Sequence, residues 1–505
     1  MKRPMVQGWA ARIEALSSRR LVLLLIGLFA LAHSTYYLLG VRFDDLSLPF
    51  GVHVLDPEFL RHRLAESLFY LHSQPPLFNL FLGLIVKLFP GHELVAFQFC
   101  YLAAGLALYL VLFALLRSLA LSRALALGLS TWFMVSPSFV LYEHWLFYTL
   151  PMAALLALSA LLFHRVIDQA RAWQAAAFFS VLLLICLLHS MFHLLYYAFV
   201  TGALLLLRRS SRRCILLAGG VPFLLLLSLY VKNSVLFHQF TTSSWFGMSL
   251  YSITARAMPL EERRQLVAEG ELSPLVLIRR LSPLSAYPRR YLQVPGFENV
   301  PALRQVVKST GANNYNHLAY IALSKEYLRD DLWVILHRPR AYLVGLLNAW
   351  LCYFRSSSDY PLLYGNLRRI VPVNCLYDYL FYGKVPFYRV HSSRVQIYYA
   401  PFAEPRLYVF LLAGLPALVI YGLRAGLRRD AGSPLSASQR LLVLYACFNI
   451  MFVAFVWNSV EVTENHRFRF ATDPLYVLLL GLALQHSRLR HLPGRVVRRL
   501  RRRSR

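Results

Sequence analysis

The sequence predicts an all-α polytopic membrane protein: a bundle of about ten spanning helices, with juxtamembrane helices and a mostly helical external cap. Three observations carry this. The 505 residues are 58% hydrophobic and only 15% charged, with a mean hydropathy of +0.49, whereas soluble domains carry about 25% charged and about 45–50% apolar residues. Apolar runs of the length a bilayer demands, about 17–25 residues, recur along the chain. The 53 Lys and Arg exceed the 24 Asp and Glu, for a net charge of +29, and the excess falls in alternate connections between the runs. The composition excludes an ordinary soluble enzyme and a disordered chain. No helix-turn-helix, zinc-finger or RNA-binding signature lies between the runs, so no nucleic-acid partner is expected.

Ten runs read as spans: 20–39, 94–116, 124–141, 146–163, 173–189, 191–207, 214–230, 406–423, 439–457 and 471–486. Two shorter stretches, 75–89 and 340–354, are flanked by Pro or charge and read as membrane-surface or re-entrant helices. Basic residues of short loops mark the cytoplasmic side. With the N-terminus inside, 26 basic residues fall in cytoplasmic loops and tails against three acidic ones (Glu14, Asp168, Asp430), which is +23 of the +29. Counting 75–89 as a crossing would turn the clusters from Arg117 to Arg213 outward, so parity argues that it does not cross. The basic stretch before the first span and the Ala30-Leu31-Ala32 triplet resemble a cleavable signal peptide. The length of the basic region and the apolar residues Tyr36 to Leu39 favour a retained anchor. Both termini are therefore expected in the cytoplasm, with membrane lipids around the bundle.

This topology divides the chain into 1–230, with a first external loop and juxtamembrane helices at 41–93; 231–405, the external cap with a membrane-surface helix; and 406–505, the last spans and a basic tail. The cap lacks the low complexity of a linker. Its stretches 259–269, 300–309 and 316–336 have helical periodicity, with Tyr320, Ile321, Leu323, Tyr327, Leu328 and Leu332 near one face. Of six cysteines only Cys352 and Cys375 lie outside, and pairing of the two is the less favoured reading.

Candidate chemistry gathers where helices leave the membrane. Asp44 and Asp45 follow the first span, and two adjacent carboxylates there can serve as a general base or bind a cation. Asp56-Pro57-Glu58 is an N-cap signal for an interfacial helix running to about Leu71. That helix is followed by His72, the double proline Pro75-Pro76, and a second surface helix. Glu143 and His144 sit between two spans with almost no loop, costly unless they line a polar cavity or meet a partner. His189 and His193 are spaced i, i+4 but lack a third ligand, so no zinc site is assigned. Arg467 and Arg469 break the charge rule on the external side, close to Glu464, and Arg suits phosphate. Lys232, after the seventh span, is a third cation for such an anion. Ser243 to Leu250 and Asn313 to His317 look motif-like without an assignable role.

Asp44 to Phe89, Glu143 and the Glu464 to Pro474 stretch together resemble the integral-membrane GT-C glycosyltransferases, nearest to the bacterial protein O-mannosyltransferase and aminoarabinose-transferase-like (glycosyltransferase 39-like) group. In that group an acidic pair follows the first span, a His-Pro-Pro-Leu-like motif opens a juxtamembrane helix and an Arg-Phe-Pro-like motif opens a late span. Here two residues separate His72 from Pro75, and Ala471, Thr472 and Asp473 replace the proline after Arg-Phe. The resemblance covers about 15–230 and 440–486. It implies a GT-C-type bundle, a polyprenyl-phosphate sugar donor, a glycan, lipid or protein acceptor, and an inverting transfer on the external face. Asp44 or Asp45 would act as base and Arg467, Arg469 and Lys232 would bind the donor phosphate; Glu143, His144, His72 and Glu464 are further cavity candidates. Some members use a divalent cation, Mg or Mn; no metal ligands are assigned. The alternatives are an envelope polysaccharide polymerase or ligase, or a lipid-linked-sugar transporter or flippase.

Overall fold

Nine of the ten predicted spans each overlap one helix in the computed structural model, and 124–141 divides between two; the structure describes residues 4–169, 171–386, 406–428 and 434–490. The helices are α1 (Ser18–Leu38), α2 (Leu77–Leu88), α3 (Glu93–Ser118), α4 (Arg123–Met134), α5 (Pro137–Glu143), α6 (Thr149–Gln169) and α7 (Ala172–Leu188). Then follow α8 (Leu194–Leu207), α9 (Arg212–Phe237), α10 (Ala319–His337), α11 (Pro339–Tyr353), α12 (Val409–Leu427), α13 (Ala437–Asn458) and α14 (Asn465–Arg490). The protein is thus an all-α helical membrane protein. Among the described residues the only strands are the short antiparallel pair Lys384–Pro386 and Arg406–Tyr408. Six helices are individually long and apolar enough to cross a bilayer, or seven if the bent pair α4 and α5 is one span. The remaining predicted spans, 173–189, 191–207 and 471–486, do not meet that criterion. The predicted tail at 491–505, with the Arg429 and Asp430 stretch, lies outside the described residues.

Hydrogen bonds between distant segments define one basic end of the bundle. Arg123 donates to the carbonyl of Glu14, Gln439 to that of Ser118 and Gln485 to that of Ala120. The opposite end carries the cap. α2 lies at the cap end, and Arg61, in the helix Pro57–His62, pairs with Glu93 at the start of α3. The predicted interfacial helix begins as expected, with Asp56 accepting from the Glu58 amide, but breaks at Arg63 into Pro57–His62 and Leu64–Phe69. Of the predicted cap helices, 259–269 and 316–336 form as Leu260–Ala268 and α10, while 300–309 shrinks to Pro301–Arg304. α11 packs on α13 and α14 and exposes Leu343, Leu347 and Leu351 in one stripe, the geometry of a helix with one face to lipid.

The break between α4 and α5 has a local cause. Ser136 caps the new helix by accepting from the Phe139 amide, and Pro137 occupies its first turn, where no amide is needed. The two helices meet at 60°. α5 therefore ends at Glu143 inside the bundle, and residues 144–148 run as an irregular strip before α6 starts. This strip is the platform of the site described below.

The cap is sewn to the first loop by the segments whose role the sequence left open. Asn316 accepts through Oδ1 from the His72 and Ser73 amides at 3.1 and 3.2 Å. The His72 ring donates from Nε2 to the Asn316 carbonyl at 2.9 Å and accepts at Nδ1 from Ser244 Oγ at 2.8 Å. Ser309 donates from N and Oγ to the Asp56 carboxylate, and buried Lys308 donates to the Gly51 carbonyl. Cys352 and Cys375 are both free. Cys352 instead approaches His466 Nδ1 at 3.3 Å.

Burial, with the Lys232 charge adding to it, holds His72 down to about 3, so the ring stays neutral when folded. The unfolded ring takes up a proton below about 6.5, so this latch is at full strength above that pH and weakens as pH falls toward 3. Asn316→Ala should cost about 1–3 kcal/mol and speed hydrogen exchange at 72–76 and 242–252. Lowering the pH from about 7.5 to about 5 should lower the protection factors, exchange measured relative to the intrinsic rate at each pH, at the same segments, and less so in His72→Gln.

Candidate active site at the cap end of the bundle

Asp44 is fixed by its backbone. Its amide donates to the His144 carbonyl at 2.8 Å and its carbonyl accepts from the Leu146 amide at 2.9 Å, a parallel bridge opposite Trp145. Its Oδ1 accepts from the Leu46 amide at 2.9 Å, which turns the chain and leaves Oδ2 facing outward beside Gly365. Both Asp44 and Asp45 are half-buried, and among the described residues neither is ion-paired. Burial, partly offset by the Leu46 amide and reinforced by the Asp45 charge, raises the Asp44 pKa above the ordinary carboxylate value.

Two positions before Asp44 in the chain stands a cation. Arg42 is exposed, stacks on the Tyr37 ring at 3.7 Å and donates to the Tyr37 and Val41 carbonyls. Asn366 holds the Arg42 backbone from both sides, at 3.0 and 2.7 Å. Arg369, also exposed, lays its aliphatic stem against Gly40.

On the other side of the bridge the strip builds an aromatic box. Trp145 stacks on Phe147 at 4.5 Å and approaches Tyr360 at 5.4 Å. His53 lies 5.4 Å from Phe147, 5.9 Å from Tyr148 and 5.4 Å from Trp245. Arg467 enters from α14, 1% exposed, with Phe147, Tyr148, Tyr360 and Phe468 around its guanidinium. It donates to Thr149 Oγ1 at 3.2 Å and pairs with Glu464, whose other oxygen accepts from the Tyr360 hydroxyl at 2.9 Å. Burial alone would raise Glu464; Arg467, His53 and the Tyr360 bond override it and hold the carboxyl at about 2. Burial, then the cations Arg467, Arg280 and Lys308 against the single opposing Glu464, lower His53 to about 4.

Four buried polar atoms of this box have no partner within the protein: His53 Nδ1, Tyr148 OH, Trp245 Nε1 and Arg467 Nε. Protein interiors leave few such atoms, because each costs about 1–3 kcal/mol.

The remaining predicted residues lie apart from this box. Arg469 is a clamp: it donates to the Tyr353 and Arg355 carbonyls at 2.6 Å each and to Ser357 Oγ at 2.8 Å, and pairs with Asp473. Lys232 donates to the Phe69 and Leu71 carbonyls at 2.7 and 3.0 Å. His72 belongs to the cap latch. His144 contributes its carbonyl to the bridge, while its ring donates to the Val140 carbonyl at 2.9 Å. Glu143 turns away from the box into the bundle. It pairs with His33 of α1 and occupies the space that a side chain on Gly105 would fill.

Among the described residues no three His, Cys, Asp or Glu side chains converge. Comparison with family models, curated proteins and solved structures finds no match to this chain. His33, His53 and Tyr360 were not singled out from sequence, and Trp245 lies in the motif-like Ser243 to Leu250 stretch that had no assignable role. His53, eight residues beyond Asp45 in the same loop, was the most accessible to that reasoning.

Arg467→Ala would leave Glu464 buried without its counter-charge and should lower stability by about 3–5 kcal/mol. Thermal unfolding of Arg467→Ala, Glu464→Gln and the double variant should show the pair losing less than the sum of the single losses.

Proposed function

We propose that this chain is a GT-C-type glycosyltransferase of a bacterial inner membrane, with ten spans and both termini in the cytoplasm. It would transfer a sugar from a polyprenyl-phosphate donor to an acceptor on the external face. The observation that carries the proposal is one juxtaposition: an unpaired carboxylate pair at a membrane exit, one backbone bridge from an aromatic box with four partnerless polar atoms. In the reaction the acceptor hydroxyl attacks the anomeric carbon and Asp44 takes its proton. The bond from that carbon to the phosphate oxygen breaks with inversion, and the polyprenyl phosphate leaves with the electron pair. Arg42 and Arg369, exposed on the Asp44 side, are the cations for that phosphate. Arg469 is buried with both terminal nitrogens engaged and Lys232 is tied to the Phe69 and Leu71 carbonyls, whereas Arg42 is exposed and engages its carbonyls through Nη1 alone. Arg467 orders the box through Glu464.

A transporter or flippase is the second reading, favoured by His33 and Glu143, an ionisable pair inside the bundle. Reconstituted protein with a radiolabelled polyprenyl-phosphate sugar and an envelope extract separates the two. Transfer requires label in a new covalent product, whereas a flippase moves the label and leaves it on the donor.

Asp44→Asn should lower turnover by at least about 100-fold with insertion and stability retained. Since the base works ionised, activity should fall as pH drops through the raised Asp44 pKa. Asp45→Asn, by removing the like charge, should move that acid limb to lower pH. Arg42→Gln with Arg369→Gln should raise KM for the donor more than it lowers kcat in steady-state kinetics.

A further inference from the structure

At the opposite, basic end the bundle carries a second feature that the proposed chemistry does not use. A groove of about 330 Å³ runs between α1 and α3 and is closed at one end by the start of α4. Its floor is apolar, formed by Leu21 and Leu25 of α1 and Leu110 and Phe113 of α3. Its mouth is polar, formed by Ser18, Arg117 and Arg123. From Ser18 to Leu25 it extends about 10 Å along the helix axis. The same stretch of α1 exposes Val22, Leu23 and Ile26, and on a spanning helix that surface faces hydrocarbon, so the groove opens sideways into lipid.

The two guanidiniums are held in place with donors to spare. Arg117 donates one N–H to the Leu121 carbonyl, and Arg123 donates from one nitrogen to the Glu14 and Leu16 carbonyls. Glu14 is the acid that faces them, and its carboxylate is engaged by the Ala124 amide at 3.3 Å. Two fixed cations against one engaged carboxylate leave a positive mouth above an apolar trough at the depth where phospholipid phosphates lie. An Arg otherwise reaches out to the interface with its charge in water; these two are tied inward to backbone carbonyls, beside the groove.

We propose that this groove binds one anionic phospholipid of the leaflet on the basic side. The phosphate would sit between Arg117 and Arg123 and the upper part of one acyl chain along Leu21, Leu25, Leu110 and Phe113. The phosphodiester supplies the charge that the mouth complements, and the chain supplies the apolar area that the trough offers. A free phosphate would satisfy only the first. A bound lipid here would tie α1, whose far end leads to Asp44, to α3, which carries Gly105 at mid-length.

The test uses the purified full chain in neutral detergent, with thermal unfolding and native mass spectrometry as readouts. The probes are phosphatidylglycerol, phosphatidylcholine of the same chains, and inorganic phosphate. Phosphatidylglycerol should raise the Tm by several degrees and be retained as one lipid per chain, while the other two probes should do neither. Arg117→Gln with Arg123→Gln should weaken retention at least tenfold. Ala114→Trp, which fills the groove and keeps both charges, should do the same and covers the case in which the charge variant fails to fold. Equal stabilisation by phosphatidylcholine, or by inorganic phosphate, would overturn the proposal. So would retention of phosphatidylglycerol undiminished in Ala114→Trp.

Discussion

Two backbone hydrogen bonds, from the Asp44 amide to His144 and from the Leu146 amide to Asp44, hold the cap end of this protein in register. At the boundary of a membrane bundle a strip of irregular backbone cannot leave its amides unpaired, since little water is present to replace the lost partners. Residues 144–148 are such a strip, and the first external loop supplies the pairing. The same bridge sets the acidic pair on one side and, through Trp145, the aromatic box on the other. Glu143 anchors the strip from below through His33, and Ser136 with Pro137 aim it by bending the span.

The basic residues divide by surroundings rather than by number. Arg469 and Lys232 are spent on carbonyls and function as braces. Arg467 is held by Glu464 inside aromatic walls, where removing either charge would strand the other. Arg42 and Arg369 remain exposed, Arg42 against Tyr37 and Arg369 against Gly40.

Much of the scaffold was legible in advance. Runs of apolar residues mark helices because backbone polar groups in lipid have no other economical arrangement, and nine of the ten each overlap one helix. The stretch 75–89, expected as a short surface helix, forms the 12-residue helix α2, shorter than the helices able to cross a bilayer. Less legible was the interior of the first loop: the break at Arg63 and the collapse of 300–309 to one turn depend on packing, which periodicity does not report. The site was half legible. Asp44 and Asp45 stand out by position, but His53, Trp245 and Tyr360 are ordinary residues until three distant segments meet.

By itself the sequence determined that this chain is a bundle of membrane helices with an ordered cap, because hydropathy and loop charge act locally along the chain. Only the tertiary structure decided which charges are spent. Glu143 and Arg467 look alike in sequence as costly ionisable groups near a bilayer, yet one turns inward to His33 and the other into an aromatic box. The Glu143 partner His33 lies 110 positions away and leaves no local trace, whereas Arg467 meets Glu464 within one helical turn but finds its aromatic walls on distant segments; packing separates the carboxylates that remain free from those the fold has already used.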